Sequence, residues 1–92
     1  FVHLVDPASG ALVAQVDAEP GGGSHPTGGW LPGEVVSEAV TIDLTGVAAG
    51  TYDVYVGLYD PARPGAPRLA AFLEGVRSAD DRVRLPDPLH VP

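Results

Sequence analysis

Few side chains in this sequence offer chemistry: three histidines, twelve carboxylates and five arginines, with no cysteine and no lysine. Ser24 and His25 are adjacent inside the glycine-rich stretch Gly21–Trp30. Chain neighbours are not placed by a fold to share a proton, and a serine nucleophile needs a base that a third group orients. A Gly-x-Ser-x-Gly elbow is missing too. The same glycines suggest a phosphate cradle, but that device needs a lysine on the phosphates. Packing is the simpler reading, with Trp30 closing one end of the domain. His3, His25 and His90 have no zinc-ligand spacing. Asp17, Glu19 and Glu34, with Asp6, supply hard oxygens at loop ends of the kind calcium takes, yet no Asp-x-Asp-x-Asp-Gly loop organises them. No carboxylate pair stands out for glycoside hydrolysis. The expectation is a protein that is not an enzyme and uses no cofactor.

Three side-chain groups remain as candidates. Tyr55 and Tyr59 flank Gly57 on one strand face, where two rings could form a platform for a sugar or Gly57 could admit a neighbouring ring such as Trp30. With Trp30 and His25 they make a candidate ligand surface. His3 shares a face with Phe1 and Val5 and reads as a structural hydrogen-bonding residue, the alternative being a pairing with Asp17 across the first hairpin. Glu38 falls on the parity of Val36 and Val40, so burial there would call for Arg68 or a backbone amide.

The elements that must hold these groups are strands. Thr51–Asp60 alternates strictly, with Tyr52, Val54, Val56 and Leu58 on one face and Asp53, Tyr55, Gly57 and Tyr59 on the other. Phe1–Val5 and Leu12–Asp17 flank the turn Asp6–Gly10 as a hairpin. A long loop, Glu19–Gly33, carries six glycines and three prolines. Glu34–Leu44 predicts a third strand with Val36, Val40, Ile42 and Leu44 inward. After the Pro-rich loop Pro61–Pro67 come a weaker strand at Arg68–Leu73, a turn at Glu74-Gly75 and a short strand at Arg82–Leu85 with Val83 and Leu85 inward. A helical turn at Ala70–Val76 is the competing pattern. Tyr52, just past Gly50, has the placement of a tyrosine corner, whose hydroxyl returns to nearby backbone.

Ninety-two residues make a single domain, 1–92, that buries only ~60% of its unfolded surface. The net charge of −7 argues against nucleic acid and anionic membranes as partners. Apolar runs are too short and too interrupted for direct membrane insertion. Short strands separated by turn signals predict an all-β, antiparallel β-sandwich of immunoglobulin-like type.

One combined motif is familiar. Phe1-Val2-His3-Leu4-Val5-Asp6, Gly10, Leu12-Val13-Ala14-Gln15, Asp17, Pro20 and Gly22 open it. Pro26-Thr27, Trp30, Pro32-Gly33-Glu34, Gly50, Tyr52 and Val56-Gly57-Leu58-Tyr59-Asp60 continue it. Arg68-Leu69 and Asp81-Arg82-Val83-Arg84-Leu85 complete it. Together they resemble the soluble C-terminal β-sandwich module of bacterial multi-span glycosyltransferase-like membrane proteins of the dolichyl-phosphate-mannose mannosyltransferase type. The resemblance covers nearly the whole chain. It implies the architecture and an extracytoplasmic setting, and it transfers no catalytic residues. In that module the Phe1–Leu4 strand follows further strands, so the expectation is a sandwich lacking its first strands. Its open edge at Phe1, Val2, His3, Leu4 and Val5, or at the neighbouring strand, would recruit another chain. The functional expectation is a non-catalytic accessory or assembly module that contacts parent-protein domains or further copies of itself. A carbohydrate-binding module built on Trp30, Tyr55 and Tyr59 is the second expectation.

Overall fold

A computed structural model describes residues 1–17, 33 and 39–92. Its strands are β1 (Val2–Val5), β2 (Leu12–Val16), β3 (Gly50–Val56), β4 (Phe72–Leu73), β5 (Val76–Arg77), β6 (Val83–Arg84) and β7 (Leu89–Val91). The chain is all-β and antiparallel. The larger sheet has the order β2-β1-β3-β6, with β7 also paired to β3, and β4 and β5 form a separate hairpin.

The first hairpin is shaped by short polar side chains. Asp6 Oδ1 accepts from the Ala8 amide at 2.9 Å, and the Gly10 amide donates to the Asp6 carbonyl at 2.8 Å. Such Asx turns supply locally the bonds that a ladder would otherwise provide. Gly10 has φ 73°, the left-handed conformation this closure requires. A bulge between Leu4 and Val5 shifts the register, so Leu4 faces Ala14 while Val5 faces Leu12.

β3 holds the sheet together. Its first half pairs with β7 and its second half with β1 and β6. The predicted alternation is present. Leu4, Ala14, Tyr52 and Val54 turn to one face, where they pack with Leu44, Val47, Leu89 and Val91. Leu4 is fully buried. The Tyr52 hydroxyl donates to the Ala48 carbonyl at 2.7 Å, which closes the predicted tyrosine corner. Beside this core an open apolar cavity of about 650 Å³ lies between the sheet face (Val2, Val16, Val56) and the side chains of Ile42, Leu69 and Phe72.

Several expectations need correction. Phe1–Val5 is not an open edge, because β1 is hydrogen-bonded to β2 on one side and β3 on the other. Among the described residues β2 forms that edge instead, with Leu12 and Val13 exposed. No strand forms over residues 39–44. There Asp43 Oδ1 takes both the Thr45 amide (2.9 Å) and the Thr45 hydroxyl (2.7 Å), local bonding that competes with a ladder. The expected strand at Arg68–Leu73 shrinks to β4 plus an isolated bridge between Tyr59 and Arg68. No helical turn forms at Ala70–Val76, since Glu74 (φ 51°) and Gly75 (φ 80°) form a tight turn between β4 and β5. Residues 34–38, including Val36 and Glu38, lie outside the described residues.

Candidate functional site

The outer face of the sheet collects aromatic and cationic side chains. Register places His3 beside Tyr55, and Tyr55 beside Arg84. Arg82 is extended (φ −137°, ψ 145°) and lies two residues before Arg84. It therefore projects to the same side, while Val83 turns inward to line the cavity.

These side chains form a continuous row. The Arg68 guanidinium lies 4.8 Å from the Phe1 ring centre, and the Phe1 and His3 ring centres are 4.4 Å apart. Arg82 Nη1 donates to His3 Nδ1 at 3.2 Å, and its guanidinium stacks 4.0 Å above the Tyr55 ring. Tyr59 extends the row, 6.2 Å from Phe1 at an interplanar angle of 39°. A guanidinium only donates, so Nδ1 of His3 accepts and the ring is the neutral tautomer protonated at Nε2. Burial pushes the His3 pKa down, and the Arg68 and Arg82 charges push it further, against the smaller opposite pull of Asp17.

Two local features fix the row in place. Gly57 lies against the Phe1 ring so closely that a Cβ there would come within 2.5 Å of Phe1 Cζ. The admitted ring is thus Phe1. At the other end Asp80 (φ 57°) and Asp81 (φ 50°) both adopt the left-handed conformation, which non-glycine residues seldom take but aspartate tolerates best. The Asp80 carbonyl accepts from Arg68 Nη1 at 2.9 Å, and the Asp81 carboxylate takes Arg77 through two 2.8 Å bonds. That pair is the one salt bridge among the described residues, so Arg68 and Arg82 have no carboxylate there.

Nδ1 of His3 is occupied by a cation, and no hydroxyl is bonded to it. Among the described residues His90 meets only the Thr51 hydroxyl, at 3.3 Å on the surface. No group of three or more metal-ligating side chains occurs among the described residues.

The predicted site residues separate accordingly. Tyr55 and Tyr59 belong to the row, and Arg82 covers one face of Tyr55 that a sugar would otherwise use. Trp30, His25, Glu19 and Glu34 lie outside the described residues, and Asp17 is exposed just beyond β2. His3 is a structural hydrogen-bonding residue, with Arg82 as its partner in place of Asp17. Sequence reasoning missed Arg68, Arg82 and Arg84 as a group. The signal was present, because placing Val83 and Leu85 inward sends Arg82 and Arg84 outward together.

A second surface is apolar. In the β4–β5 hairpin Phe72 is 60% exposed, Leu73 53% and Val76 70%, and Leu69 beside it is also exposed. No family model, no curated protein and no solved structure matches the chain.

Proposed function

We propose that this chain is a non-catalytic, extracytoplasmic accessory module that works by protein contact and associates with further copies of itself. The observation that carries the reading is the hairpin Phe72–Arg77, whose three large apolar side chains are more than half exposed, with Phe72 also lining the apolar cavity. Exposed apolar side chains clustered in one element mark contact sites, here Leu73 and Val76 on one face of the hairpin and Phe72 on the other. A two-stranded hairpin is also marginal alone and gains most from being covered. The edge strand β2 supports the same reading: it reads Leu12-Val13-Ala14-Gln15-Val16, with no charge or proline to deter pairing. The extracytoplasmic setting and the role as an appended module follow the resemblance to the C-terminal module of multi-span glycosyltransferase-like proteins.

Light scattering after gel filtration over a tenfold concentration range tests the proposal. The expected result is a discrete dimer or larger species that reverts toward monomer in Val76→Lys. A wild-type chain that stays monomeric at every concentration refutes it.

A further inference from the structure

We infer that the row Arg68–Phe1–His3–Arg82–Tyr55 is a carboxylate-recognition site for an acidic segment of a partner polypeptide. The inference rests on the contact reading above and names the chemistry of a second contact, on the outer sheet face. Each guanidinium has five N–H donors. Arg82 uses one on His3 and Arg68 uses one on the Asp80 carbonyl. The other donors meet no acceptor among the described residues, although the chain has twelve carboxylates against five arginines. Both guanidinium groups lie over rings, Arg68 at 4.8 Å from the Phe1 centre and Arg82 at 4.0 Å from the Tyr55 centre, and their remaining N–H groups suit a planar oxyanion such as carboxylate. The ring contacts also restrict these side chains in advance, so less conformational entropy is lost when a ligand arrives.

Within the row Arg68 is exposed, Phe1, Tyr55 and Arg82 are partly buried and His3 is buried beneath them. Arginine and tyrosine held together on this sheet face are the residue types that dominate the energetics of protein contacts. The net charge of −7 opposes an anion at long range, but at physiological ionic strength that field decays within about 8 Å. Contact chemistry at Arg68 and Arg82 then decides. An extended polyphosphate backbone would meet the acidic remainder of the surface as well, which a short acidic segment avoids.

The probe is a hexaglutamate peptide titrated into the ¹⁵N-labelled chain, with hexalysine and hexagalacturonate as parallel arms. Expected are saturable shifts confined to His3, Tyr55, Arg68 and Arg82. Affinity should weaken about tenfold or more in Arg68→Ala and in Arg82→Lys, the latter keeping the charge but losing the fork. Arg63 is an exposed arginine of the Pro-rich loop, so Arg63→Ala changes the net charge equally and should alter affinity by less than about twofold. Equal weakening by Arg63→Ala would reduce the effect to net charge and overturn the inference. Binding of hexagalacturonate alone, of hexalysine, or of none of the three overturns it as well. Light scattering on the same samples separates the two proposals: a self-associating chain that ignores hexaglutamate retains the assembly reading and loses this one.

Discussion

Gly57→Ala is the most informative substitution, because its effect is set by one close approach. An added Cβ would lie 2.5 Å from Phe1 Cζ, 2.7 Å from Phe1 Cε2 and 3.0 Å from the Asp81 carbonyl oxygen. The Phe1 ring has little room to retreat, since the tilted His3 ring lies 4.4 Å away centre to centre and Arg68 is over it. The neighbouring backbone is also tied, with the Gly57 amide donating to the Phe1 carbonyl at 3.1 Å. Forcing a methyl into such a place costs about 1–3 kcal/mol, and the reduced freedom of the unfolded chain returns about 0.4–1 kcal/mol. A net loss of about 1–2 kcal/mol corresponds to a Tm lower by roughly 5–15 °C in a domain of this size. Thermal unfolding followed by circular dichroism measures it, and a double-mutant cycle with Phe1→Ala assigns the cause. Without the phenyl ring the Gly57→Ala penalty should largely vanish. An unchanged or raised Tm in the single variant refutes the argument. So does an equal penalty in the Phe1→Ala background, which would place the clash at the Asp81 carbonyl.

Other expectations follow from the same contacts. Tyr52→Phe removes the hydroxyl bond to Ala48 and should cost about 0.5–1.5 kcal/mol in urea unfolding; no change would mean the corner adds nothing. Leu4→Ala empties the one fully buried large side-chain position among the described residues and should cost about 2–5 kcal/mol, enough to leave a marginal domain largely unfolded by circular dichroism. Glu74→Asn suits the left-handed position before Gly75 and should raise stability by roughly 0.5 kcal/mol, read as a higher Tm. The folded pKa of His3 lies below its unfolded value, so the unfolded chain binds the extra proton as pH falls. The contribution of neutral His3 is complete above about pH 6.5 and is lost as pH drops from there toward the folded pKa. Replacing His3 with Gln should flatten the Tm–pH curve in that interval; an identical slope would remove His3 as its source.

What could be read from the sequence divides along physical lines. β3 was legible because Tyr52, Val54 and Val56 alternate with Asp53 and Tyr55, and only one of the two faces meets the core. The tyrosine corner was legible because its bond spans four residues. β7 was not, since three residues behind Pro86 and Pro88 show no period, and its place depends on Gly50–Tyr52 far away in the chain. The alternation of Val40, Ile42 and Leu44 suggested a strand, but Asp43 and Thr45 satisfy each other locally and no ladder forms. The aromatic–cationic row was least accessible. Its central bond joins residues 79 apart, and no local pattern records that His3 meets Arg82.

The way β3 is shared has a temporal consequence. Its neighbours come from residues 2–5 and from residues 83–91, so the sheet closes only when distant segments of the chain meet. Pairings over such separations are slow to form, because loop-closure entropy is lost before any contact repays it. During synthesis the β1–β2 hairpin emerges before β3, yet β3 lacks its last partner until Val91 is available. In that interval Leu4 and Val54 have no finished core, and nascent chains on one message would present matching sticky strands to each other. Folding yield should therefore depend on how quickly residues 83–91 follow β3, and slower elongation there should favour aggregation over closure.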